Sequence, residues 1–172
     1  MYSVLRKSIL IGILLVVSVV PLHAASDLVV TTVANLPETL TPAIKFSLIT
    51  TVANQGDAVS PKTITSYYLS GSPSKAGAWL LTSKHSVKGL APLANTTKKV
   101  KIAVPSGIPS GTYYLVACAD DTNLAPEDNE DNNCTPSAAT TDLVVPDLLI
   151  KDISALTPGA ALKTPLSITT SV

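Results

Sequence analysis

The feature that most constrains this chain is a gapless internal repeat in which the apolar positions keep their parity. Asp27-Leu28-Val29-Val30 returns 120 residues later as Asp147-Leu148-Leu149-Ile150. The same offset pairs Val33 with Ile153, Leu36 with Leu156, Phe46 with Leu166, Ser47 with Ser167, Leu48 with Ile168, Thr50 with Thr170 and Val52 with Val172. A strand must conserve parity, because a slip of one residue turns its buried face outward. The chain is therefore expected to be built of repeated β units. The first unit runs over residues 25–145, Pro146 opens the next, and residues 146–172 read as the truncated start of a second copy.

Inside the first unit, short alternating stretches lie between turn signals. Strands are predicted over 27–34, over 44–54 with Ile44, Phe46, Leu48, Thr50 and Val52 on one face, and over 63–70. Asn54-Gln55-Gly56-Asp57 and Gly71-Ser72-Pro73-Ser74 are turns. The pattern is weaker at 79–81 and 86–90, strong over 97–104, where Val100, Ile102 and Val104 oppose Lys99, Lys101 and Ala103, and strongest over 112–120. A last strand is expected over 134–145. About seven strands without helical periodicity predict an all-β, antiparallel, Ig-like β-sandwich.

The N-terminus predicts export. Arg6 and Lys7 precede an uncharged apolar run over 8–20, Pro21 breaks it, and Leu22-His23-Ala24 supplies the small residue that a cleavage site needs. The run is nearer to 13 residues than to the 18 or so of a membrane span, so residues 1–24 read as a signal peptide and Ala25 as the mature N-terminus. Removing Arg6 and Lys7 moves the formal charge from 0 to about −2, far from the basic excess of a nucleic-acid binder. About 148 mature residues suffice for one core and a remnant.

Four stretches in this order resemble the CARDB family, a cell-adhesion-related Ig-like domain. They are Asp27-Leu28-Val29-Val30, Val52-Ala53-Asn54-Gln55-Gly56, Pro109-Ser110-Gly111-Thr112-Tyr113 and Glu127-Asp128-Asn129-Glu130-Asp131-Asn132-Asn133. The resemblance covers residues 27–145 and again 147–172. It implies a sandwich, often in tandem, on secreted or surface proteins, with adhesion and no catalysis.

Read for themselves, the same residues have structural tasks first. Tyr113, two residues after Gly111, suits a tyrosine corner that bonds back to the upstream backbone. Parity then turns Leu115, Ala117 and Ala119 inward. Cys118 and Cys134 are the only cysteines; in an exported chain, each near a strand end, they are expected to form a disulfide. A metal pair would need more ligands at closer spacing.

Charge is segregated. Asp120, Asp121, Glu127, Asp128, Glu130 and Asp131 place six of the twelve acids in one loop, whereas residues 58–119 carry seven lysines and no acid. The loop has enough oxygen to hold Ca²⁺ but lacks EF-hand spacing. A solvated hairpin with Asn129, Asn132 and Asn133 satisfying turn groups is the alternative, and no cofactor is required.

Catalysis finds little support. His85 is the single histidine after the leader, and no Gly-x-Ser-x-Gly, His-Glu-x-x-His or phosphate loop occurs. Trp79 with Tyr67 and Tyr68 would be a thin platform for sugar. Two readings stand: a secreted or cell-surface adhesion module binding an extracellular protein or glycan beside neighbouring repeats, or a spacer domain of a larger exported peptidase or glycoside hydrolase.

Overall fold

The computed structural model describes residues 24–127 and 129–147. The predicted signal peptide and the second repeat fall almost wholly outside the described residues. Within them the chain is all-β: β1 (Leu28–Ala34), β2 (Thr39–Leu40), β3 (Lys45–Asn54), β4 (Thr63–Ser70), β5 (Trp79–Val87), β6 (Asn95–Ala103), β7 (Gly111–Cys118), β8 (Cys134–Pro136) and β9 (Thr141–Leu143). One sheet has the order β1-β3-β6; the other runs β2-β9-β7-β4-β5, with β8 also paired to β7.

Both sheets contribute to one core, which is why β3 and the C-terminal half of β6 alternate. Leu48 and Val52 from β3, Val100 and Ile102 from β6, Tyr67 and Leu69 from β4, and Leu115 and Ala117 from β7 all bury together. The opposite face of β7 is also covered: Val116 and Cys118 pack with Tyr68, Ala78 and Cys134 in a smaller cluster. Each fully buried aliphatic side chain contributes about 1.5–3 kcal/mol.

The inner face of β4 is partly polar. Thr63 and Thr65 are fully buried in line with Tyr67, whose hydroxyl meets Thr50 Oγ1 at 3.0 Å across the sandwich. Burial raises the Tyr67 pKa, so the phenol stays neutral.

The strand count and pairing differ from the expectation of seven antiparallel strands. The stretches 79–81 and 86–87 belong to one strand, β5, which ends before residues 88–90; the polar Ser83 and His85 share the parity of Leu81 and Val87 and hide its period. The expected last strand divides into β8 and β9 around Ser137, whose hydroxyl accepts from Leu115 N at 3.1 Å and whose own N donates to Leu115 O at 2.7 Å. The side chain thus continues the ladder where the backbone bends away. β2 was not expected, and it pairs with β9 in parallel. Its two residues are too few for an alternation to register in the sequence.

Asn54 anchors the start of the domain. Fully buried, it donates from Nδ2 to Ala58 O at 2.7 Å and Leu90 O at 3.0 Å, and accepts at Oδ1 from Asp27 N and Gly56 N, each at 3.1 Å. Gly56 is needed because a Cβ there would meet Ala25 O at 2.3 Å.

Candidate functional site

The acidic loop between β7 and β8 carries six of the twelve acids. Cys118 and Cys134 face each other in the β7–β8 register and are bonded, which closes the base of this loop. Asp120 follows with φ of 37°, a left-handed conformation that Asp tolerates better than most residues. It is almost wholly buried; Oδ2 accepts from Ala125 N at 2.6 Å, and Oδ1 has no hydrogen-bond partner among the described residues.

Asp121 is tied to the facing turn. Its carboxylate pairs with Lys75 and accepts from the Tyr68 hydroxyl at 2.8 Å, while the Lys75 ammonium also lies 5.0 Å from the Tyr68 ring centroid. Burial pushes the Asp121 carboxyl up, yet the Lys75 and Tyr68 bonds hold it below the usual range. Burial and Asp121 raise the Tyr68 phenol.

Glu127 joins the loop to the first strand. Oε1 accepts from Leu28 N at 3.1 Å and Oε2 from Asn133 Nδ2 at 2.8 Å. Beside it, Asn132 Nδ2 donates to Asp27 Oδ1 at 2.9 Å. Burial pushes Glu127 up to about 7 against its two hydrogen bonds, and the nearby charges of Glu130 and Asp120 add to the rise. Asn132 Oδ1 and Asn133 Oδ1 are buried without partners among the described residues. A cleft of about 250 Å³ is lined by Lys75, Asp120, Asp121, Glu130 and Asn133 among others. Asp131 N bonds Asn129 Oδ1 at 3.1 Å within the turn. Asp128 lies outside the described residues.

Asp120, Asp121 and Glu127 are therefore brought to one end of the sandwich but given different partners. The sequence pointed to the cluster, not to the asymmetry. Lys75, 46 positions from Asp121, was legible only as one of seven lysines. Tyr113 stands at the other end of β7, where its hydroxyl donates to Pro109 O at 3.0 Å. The aromatic residues considered for sugar do not form a platform: Tyr67 lies in the main core and Tyr68 in the outer cluster, while Trp79 is half exposed.

Two stacked sheets, one of order β1-β3-β6 and one of order β2-β9-β7-β4-β5, define an all-β sandwich domain. The CARDB family model matches residues 25–137, and the chain belongs to that family. Its fold is similar to the CARDB domain of a Pyrococcus furiosus protein solved in complex with di-metal ions, at 20% identity and TM-score 0.50, covering 72% of this chain and 98% of that one. It is also similar to a domain of a presumed cell surface protein from Methanosarcina acetivorans, at 22% identity and TM-score 0.49, covering 70% and 93%. Among curated proteins none matches its sequence.

Proposed function

We propose that this chain is an exported, non-catalytic binding module of a tandem-repeat protein at the cell surface, acting in adhesion to an extracellular protein or glycan. The observation that carries this reading is how the reactive groups are used. Glu127 takes Leu28 N and Asn133, Asp121 takes Lys75 and Tyr68, and Cys118 is bonded to Cys134. These groups fasten the acidic loop to the first strand and the β4–β5 turn, which suits a rigid presenting scaffold.

Export with cleavage after Ala24 has separate support. Ala25 N lies 3.0 Å from Asp57 Oδ1, and Ala25 O accepts from Asp57 N and Ala58 N at 3.1 Å each. Removing the leader would turn that backbone nitrogen into an ammonium already facing a carboxylate. The test is to coat beads with the secreted full chain and score retention on intact host cells against bovine albumin. Saturable retention supports adhesion, and parity with albumin overturns it. The competing spacer reading gains if the open reading frame beyond Val172 encodes a peptidase or glycoside hydrolase, and loses if it encodes further repeats and an anchor.

A second reading, Ca²⁺ in the acidic loop, is favoured by the unpartnered buried oxygens Asp120 Oδ1, Asn132 Oδ1 and Asn133 Oδ1. Among the described residues no group of three or more His, Cys, Asp or Glu side chains could hold a metal. Amide and main-chain oxygens would have to complete such a shell. A Tm that rises in millimolar Ca²⁺ and falls in EDTA supports it; equal values in both overturn it.

A further inference from the structure

The two sheets meet along one side through edge strands that are not paired. β5 ends one sheet and β6 ends the other, and they pack against each other without a ladder. Near one end the seam is tied by Thr82 Oγ1, which donates to Ala103 O at 3.0 Å. Toward the other end it opens into a cleft of about 240 Å³ lined by His85, Lys88, Thr96 and Lys98, with Val87 and Leu90 as apolar wall. His85 is 5% exposed, and its Nδ1 has no hydrogen-bond partner among the described residues. No acid occurs over residues 58–119, and the one ion pair among the described residues is Lys75–Asp121. Lys88 and Lys98 therefore line the cleft with no carboxylate among the described residues to neutralise them.

We propose that this cleft binds a tetrahedral oxyanion, a sulfate or phosphate group, between Lys88 and Lys98, with the Thr96 hydroxyl and the His85 imidazole as hydrogen-bond donors. Two ammonium groups from different segments of the chain supply the charge, and the hydroxyl and ring N–H supply direction, as in other charge-assisted oxyanion sites. Val87 and Leu90 wall one side of the cleft while Lys88 and Lys98 stay exposed, so the attraction is screened by salt. Such groups occur free and as esters on extracellular polymers, and an ester still presents three terminal oxygens to the cleft. The site is independent of the acidic loop and of the adhesion reading.

His85 reports directly on occupancy. Burial and then the Lys98 charge hold its pKa below the ordinary value, and a bound anion offsets the second cause. The experiment follows the His85 ring protons by NMR in the full chain, told apart from His23 by His85→Gln, at fixed ionic strength. Sodium sulfate, sodium phosphate, a sulfated tetrasaccharide and sodium chloride are compared. The expected result is a saturable rise of about half a pH unit or more in the His85 midpoint with sulfate or phosphate and none with chloride. Lys98→Gln should raise the midpoint without added anion and abolish the response; Lys88→Gln should weaken binding at least threefold. Tighter binding of the tetrasaccharide than of sulfate assigns the site to a polymer ester, and equal affinity assigns it to the free ion. A response that does not saturate, or that persists unchanged in Lys98→Gln, overturns the proposal.

Discussion

Replacing Glu127 by glutamine should remove a pH dependence from the stability of this domain. The folded state holds Glu127 at about 7 rather than 4.5, so between these values it binds a proton that the unfolded chain releases. Stability from this group is fully present below pH 4.5 and is lost as pH rises through 7. The interval corresponds to roughly 3 kcal/mol at about 1.4 kcal/mol per unit, and the partial solvent exposure of Glu127 brings the expected effect to about 1–2 kcal/mol. The substituted amide can keep Leu28 N on its carbonyl oxygen. Rotation of the Asn133 amide then offers its unpartnered Oδ1 to the new N–H₂. Urea unfolding at pH 5 and pH 8 is the assay. Glu127→Gln should match the parent within about 0.5 kcal/mol at pH 5 and exceed it by about 1–2 kcal/mol at pH 8. His85 titrates in the same range with the opposite slope, because its folded pKa is lowered, and it cancels in the difference between the two proteins. Parallel pH profiles, or a variant weakened equally at both pH values, would refute the reasoning.

Other perturbations test the remaining framework. Cys118→Ala with Cys134→Ala opens a loop with a sequence separation of 16 and should cost about 3 kcal/mol, read as a lower urea midpoint with an unchanged fold by circular dichroism. Asn54→Ala leaves Asp27 N, Gly56 N and the carbonyls of Ala58 and Leu90 without a side-chain partner and should cost about 2–4 kcal/mol in the same assay; less than about 1 kcal/mol would show the hub to be dispensable. Asp57→Asn should lower the Tm of chain beginning at Ala25 more than that of chain retaining the leader, since only the former carries an ammonium against Asp57; equal losses would reject the N-terminal ion pair.

Much of this architecture is written in the one-dimensional pattern. Strict alternation over 44–54 and 97–104 marked which faces of β3 and β6 are buried, because apolar burial acts on each residue by its parity. The turn over Asn54 to Asp57 was equally legible, whereas the buried amide hub at Asn54 and the close backbone approach at Gly56 emerged only from the fold. Exposed Ile44, just ahead of β3, shows where the pattern outruns the sheet, for the chain reaches solvent before the alternation ends.

Tertiary structure decided the rest. β2 is too short to have a period, and it forms only because β9 passes alongside in parallel. The six acids were a single charged run in the sequence, yet folding raised Glu127 by burial and lowered Asp121 by giving it Lys75 and Tyr68. His85 was only a lone histidine in the sequence until β6 brought Lys98 beside it. Parity and turn chemistry are local and can be read along the chain. Pairing of distant charges, and the desolvation that tunes them, depend on which strands the fold sets side by side.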